Sequence, residues 1–368
     1  MEPLRDVWDV YAKQLFPVGL GHPLLTPEPD LATGRELFVG DVGFISYELF
    51  APLFNTMKPA TDPLNNRGVP TDFEAISLPD ISIRRSDKIT QDMVCSADVS
   101  AVKVDGDITG AVGPASPASS QWKVRSASGA GAFTVLETPG VAEDIIESRP
   151  YIVDYMRKNF ASWFEFANTW FDLGLKDEEI IFLCGTLKTM RWGIGAFQGE
   201  GFRNKEGRVF GQLGEYGDRG FSLDWDHQLL PSYSSTGPRL DGVLQDPTVR
   251  NQCLFIHYYR MKRRTSRAAP DVDDSEPEYV IERVPPLKPV WDPVNPLLDY
   301  ILDTSAANVA IASDLDVTGL FKDVGTFPDP RSLPEAIMRL SPPVEVDEHG
   351  VGTISVVHVS MHPGESEH

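Results

Sequence analysis

Ile152, Met156, Phe160, Trp163, Ala167 and Trp170 recur at i, i+4, i+8, i+11, i+15 and i+18, an apolar stripe that a helix of about five turns gathers on one side. Ser148 and Pro150 precede it as start signals, and Gly174 follows as a stop. Such a stripe must be covered. The nearest cover is Ile180-Ile181-Phe182-Leu183-Cys184, too short for a helix and apolar throughout, as in a strand buried on both faces. Trp192, Ile194 and Ala196 then alternate as a half-buried strand does. Together these predict an α+β protein: a β-rich, twisted antiparallel or mixed sheet with a long amphipathic helix packed on it.

Leu4, Trp8, Tyr11 and Leu15 predict an opening helix, ended by Pro17 and Gly19. Gly40–Ile45 and the following Phe50–Phe54 read as a turn leading into short strands or into a strand and a brief helix, and further strands are expected at Arg208–Leu213, Phe221–Trp225, Cys253–Met261 and Glu278–Val284. Residues 94–136 stand apart. Val102, Val104 and Ile108 flank an Asp105-Gly106-Asp107 turn, and Gly110–Ser120 and Ser126–Ala132 are runs of small residues. They read either as long hairpins or as a segment that rearranges on a partner or membrane. Pro285, Pro286, Pro289, Pro293 and Pro296 form a stiff connector, so the chain divides into a main domain (1–285), a connector (286–296) and a small acidic C-terminal α/β unit (297–368). In that unit Asn295 and Pro296 start a helix through Leu302, a strand follows at Val309–Ala312, and another at Gly352–Val359.

No run approaches the roughly 18 apolar residues of a spanning helix, and acids occupy the N-terminus where a secretory signal would be basic. Cys95, Cys184 and Cys253 lie far apart among apolar or small neighbours, as buried thiols of a reducing compartment. A cytoplasmic protein is expected. The net charge of −21 opposes nucleic acid and anionic membrane at long range. It gathers at the ends, with three bases against eight acids in residues 1–50 and three against eleven in residues 301–368.

The sharpest chemical motif is Val309-Ala-Ile-Ala-Ser-Asp314-Leu-Asp316-Val-Thr318, an apolar strand delivering two carboxylates. It resembles the nucleophile strand of haloacid-dehalogenase-like phosphatases and the metal-holding acids of some glycosyltransferases, and implies a hydrolase or transferase using Asp314 and Asp316. Only 52 residues follow Asp316, with Lys322 the sole lysine among them, so the partners such chemistry needs are missing. Asp224-Trp225-Asp226-His227 offers acid and base groups in a turn-rich stretch, and His358 and His362 sit near the end of the chain. Gly193-Ile194-Gly195 lacks the third glycine of a dinucleotide loop. No catalytic residue, cofactor or metal site is assigned. Arg260, Lys262, Arg263, Arg264 and Arg267 form a basic cluster, answered by Asp271, Asp273, Asp274, Glu276 and Glu278. It is either one arm of a neutralised hairpin or a patch for an acidic partner or lipid headgroup.

Several segments resemble an uncharacterised protein family of mushroom-forming (basidiomycete) fungi: Tyr11–Pro17, Gly19–Leu24 with Pro27-Glu28-Pro29, Gly40–Ile45, Leu53-Phe54-Asn55, Trp192–Phe197 and Asn295–Leu302. The resemblance implies membership and no activity. The order of elements from residue 95 to Thr189 is similar to gasdermin-like pore-forming domains, and implies a membrane-acting effector kept inactive by its acidic C-terminal part. The leading expectation is a non-enzymatic interaction protein with a protein partner. Membrane lipid would be reached only after rearrangement or processing, and nucleic acid not at all.

Overall fold

A computed structural model of the chain describes residues 3–30, 32–46, 49–78, 83–89, 91–104, 119–136, 141–212, 221–225, 232–238, 249–264 and 291–355. The fold is mixed α+β and rich in sheet. Ten strands form the main sheet: β1 (His22–Pro23), β2 (Asp41–Ser46), β3 (Leu49–Asn55), β4 (Ile83–Ile89), β9 (Val141–Ile146), β10 (Ile181–Thr189), β15 (Gln252–Arg263), β16 (Val309–Ser313), β17 (Val344–Val346) and β18 (Val351–Ile354). Its spine runs β17-β18-β16-β15-β10-β2-β3. Two four-stranded sheets complete the β structure. One is β14 (Ser232–Gly237), β11 (Trp192–Gln198), β8 (Ala130–Leu136) and β5 (Met93–Cys95); the other is β13 (Phe221–Trp225), β12 (Glu206–Gln212), β7 (Ser119–Ser126) and β6 (Val99–Val104).

The centre of the main sheet is the antiparallel β10–β15 pair, from Ile181↔Arg260 to Thr189↔Gln252. Both strands are buried along nearly their whole length, because helices cover both faces. Helix α2 (Arg149–Glu165) sets Ile152, Met156, Phe160 and Trp163 against the sheet, with Trp163 stacked on Phe182 at 6.1 Å. The stripe then breaks. Residues Phe166–Trp170 form a wider π turn, which rotates Trp170 to the surface, where it is 68% exposed. Helices α3 (Asn295–Thr304), α4 (Asp314–Phe321) and α5 (Leu333–Leu340) pack Leu297, Leu298, Ile301, Phe321 and Ile337 into one core with Ile181 and Leu183.

The C-terminal segment is thus built into the main sheet rather than docked beside it. Strand β16 pairs with β15 from Tyr259↔Ser313 to Arg263↔Val309, supplying hydrogen bonds that a bare β15 edge would lack. The division into residues 1–285 and 297–368 therefore does not describe this core. Of the connector, residues 286–290 lie outside the described chain, as do Glu278–Val284, Asp105 to Ile108 and most of Gly110–Ser120.

The small residues of β8, β11 and β14 have a packing role. Gly195 lies opposite Phe133, Gly131 opposite Phe197 and Gly237 opposite Trp192. A Cβ at these glycines would fall 2.3, 2.5 and 2.5 Å from the facing ring. Each ring lies over a glycine as over a seat, the cross-strand pairing that compensates glycine in sheets. The second sheet is then buried on both sides. Trp192, Ile194 and Ala196 face α1 (Pro3–Leu15), while Phe133, Val135 and Phe197 face Trp122 and Val124 of the third sheet.

Candidate functional site

Along the edge of β15 away from β10, two short strands from opposite ends of the chain meet. Strand β1 covers Phe255 and Ile256, and β16 begins at Tyr259. His257 and Tyr258 occupy the gap. After Ser313 the chain turns into α4, and the Asp314 side chain takes over the ladder: its carboxylate accepts the Tyr258 N–H at 2.7 Å and meets His257 Nδ1 at 2.7 Å. On the other side of His257, Nε2 stands 3.9 Å from Glu143, whose other oxygen binds Arg84 at 2.8 Å.

Tyr258 continues the network. Its hydroxyl donates to Asp292 at 2.6 Å, and Asp292 also binds Arg260 at 2.7 Å and accepts the Val294 N–H at 2.8 Å. Burial holds the phenol well above its ordinary range. Asp316 accepts the Ser313 N–H in a reciprocal cap of α4 and binds Arg149 of α2 at 2.6 Å. Burial raises its carboxyl, against the pull of Arg149. Asp314 is 0% exposed and Asp316 3%. A phosphatase nucleophile must meet its substrate, and these two carboxylates instead join α2, α4 and β15.

The basic cluster is likewise engaged. Arg260 binds Asp292, Lys262 binds Asp299 at 2.6 Å, and Arg263 grips Asp177 with two nitrogens at 2.7 and 2.6 Å. Arg264 donates to the carbonyls of Leu302, Ser305 and Ala307 at the end of α3, where a cation also suits the helix dipole. Arg260, Lys262 and Arg264 thus clamp residues 292–307 to β15, while Arg263 ties the strand to Asp177. Arg267 and the acidic run Asp271–Glu278 lie outside the described residues, as do Asp226, His227, His358 and His362. Gly193-Ile194-Gly195 is part of β11. Among the described residues, no group of three or more His, Cys, Asp or Glu is placed to hold a metal ion.

The sequence reading passed over His22, Glu143, Arg149, His257 and Asp292. Three polar rings inside Cys253–Met261, His257, Tyr258 and Tyr259, were the available signal, since such rings in a doubly buried strand require partners. The Gly40–Ile45 motif resolves into a similar structural device. Asp41, 0% exposed, accepts from Arg35, from the Phe38 N–H and from Asn55.

One groove opens to solvent where α1, the ends of β8 and β11, and the turn before α5 converge. It holds about 370 Å³ and is lined by Asp9, Lys13, Gln14, Gln198, Asp329 and Arg331, with Val10, Ala130 and Pro330. Its two acids are committed, Asp9 to Lys13 and the Trp291 N–H, Asp329 to the Arg331 N–H. Among the described residues, no hydrogen bond or ion pair engages the side chains of Gln14, Gln198 or Arg331. Among the described residues, the groove therefore presents the Arg331 guanidinium and two side-chain amides without partners. Comparison with family models, curated proteins and solved structures finds no match to this chain.

Proposed function

We propose that this chain belongs to the fungal group its segments resemble and works in the cytoplasm as a non-enzymatic interaction protein. Its contact point is the groove beside α1, which receives an acidic segment of a partner polypeptide. The carrying observation is the groove's uncommitted donors, the Arg331 guanidinium and the Gln14 and Gln198 amides, beside Lys13. A planar guanidinium matches a carboxylate through two parallel hydrogen bonds, and the amides suit a peptide backbone. Screening at physiological salt confines charge effects to about 8 Å, so the groove's own charges, rather than the net charge of −21, govern contact with an acidic partner. The test is calorimetric titration of the full chain with a Glu-rich peptide and with its Gln counterpart. Saturable binding of the first alone, lost in Arg331→Glu, supports the reading; equal responses from wild type and Arg331→Glu refute it.

The membrane-acting alternative drew on small-residue runs and a detachable C-terminal part. Of the described small residues, Gly131, Gly195 and Gly237 serve as seats for aromatic rings, and residues 309–313 are a strand of the main sheet. It is not the reading proposed.

A further inference from the structure

We propose that residues 19–27 are an acid-sensitive latch on β15: proton uptake by His22 favours lifting of this segment and uncovers the 253–256 edge of the central strand. The latch lies along β15 through the two residue pairs of β1, His22↔Ile256 and Pro23↔Phe255. Two further backbone bonds extend it, Leu24 N–H to Leu254 at 2.9 Å and Cys253 N–H to Pro27 at 2.7 Å. The backbone leaves no slack. Gly21 adopts φ +101°, and a Cβ there would fall 2.6 Å from the Ile256 carbonyl and 3.1 Å from the His257 ring.

His22 is fully buried, packed between Trp8 at 5.8 Å and Tyr258 at 5.9 Å, and neither ring nitrogen has a hydrogen-bond partner. The charged and titratable groups around it come from every neighbouring element: Asp9 of α1, Arg260, Tyr258 and His257 of β15, Asp292 before α3, and Asp314 of α4. The two nearest acids of the junction are occupied. Asp292 is held by Arg260 and Tyr258, and Asp314 by His257 and the Tyr258 N–H. An imidazolium formed in place would be buried without a partner, whereas water receives it once the latch lifts.

Burial lowers the His22 pKa to about 4, against 6.5 when exposed. A lifted latch therefore binds a proton between those values and the closed one does not. Between pH 7.5 and 5.0 this raises the open fraction about 30-fold, whatever the cost of opening itself.

Amide hydrogen exchange on the full chain reads this directly, at both pH values and corrected for intrinsic rates. The Leu24 and Cys253 amides should exchange faster than those of β10 and lose about 30-fold in protection at pH 5.0. The pH effect should disappear in His22→Phe, or in His22→Leu if the larger ring does not fold. Protection of Leu24 and Cys253 equal to that of β10 at both pH values would show opening only by global unfolding, and would overturn the latch. A pH effect that survives in the variants overturns it as well.

Discussion

Gly195→Ala tests the claim that the small residues of the second sheet are seats for aromatic rings. The new Cβ would stand 2.3 Å from Cζ of Phe133 and within 2.8 Å of two further ring atoms, so the ring must retreat by more than about 1 Å to reach ordinary contact. Phe133 is 0% exposed and packed in a cluster with Val99, Trp122, Val135 and Phe197, which leaves it no free volume. Overpacking of this kind costs typically 1–3 kcal/mol, and a site enclosed on every side should sit near about 3 kcal/mol. Phe133→Leu alone should cost about 2 kcal/mol through lost burial and a residual cavity. Leucine, however, vacates the space above residue 195, so the double variant should lose far less than the sum, with a coupling of about 2 kcal/mol. Urea denaturation of the four proteins gives the cycle, provided the slope with denaturant stays constant. Additive losses, or a Gly195→Ala variant as stable as the parent, would refute the account.

Asp314→Ala leaves the Tyr258 N–H and His257 unpaired inside the sheet and should cost about 3–5 kcal/mol in the same assay; a loss under about 1 kcal/mol contradicts the junction. A chain ending at residue 285 loses β16 and α3–α5, and should show no cooperative near-ultraviolet melting transition; a sharp transition would restore the detachable C-terminal unit. Burial pushes the Cys95 and Cys253 thiols up to about 12 and Cys184 well above its ordinary range. At pH 8 the thiolate share of the first two is then about 1 in 10,000; Cys253, fully buried, should react with Ellman's reagent only on unfolding, and the part-exposed Cys95 slowly, so fast native labelling at Cys253 contradicts its burial. Trp170→Ala should leave stability within about 0.5 kcal/mol, since the ring is largely solvated, and a larger loss would show that the π turn depends on it.

Periodicity and apolar runs carried much of the architecture. Ile180–Cys184 announces a buried strand because every position is apolar, Cys253–Met261 is apolar or aromatic save for Arg260, and Leu4 to Leu15 repeats at helical spacing. Trp170 escaped this logic, because a π turn changes the angle per residue without changing the spacing of apolar residues in sequence. The division of domains had a different basis. Prolines report local stiffness, whereas the pairing of β15 with β16 joins residues about fifty positions apart, and no local pattern encodes it. The site was least legible of all. Asp314 and Asp316 drew notice as a catalytic motif, yet their meaning depends on His257, Tyr258 and Arg149, which only the fold brings to them.

The geometry of β15 links these points. One of its edges is given over to β10, but the other is shared between the N-terminal β1 and the C-terminal β16, and neither is long enough to cover it alone. A strand served in this way has a break in its ladder where the two partners abut, and backbone groups buried at a break must be satisfied by side chains. Asp314 does this for Tyr258, and the acids and guanidiniums around it follow, since a buried carboxylate is tolerated only when paired. The ionisable cluster is thus a consequence of topology and needs no catalytic purpose. It also makes the junction the place where a proton has most leverage: His22 is a titratable ring beside the break, and neither of its nitrogens has a hydrogen-bond partner among the described residues.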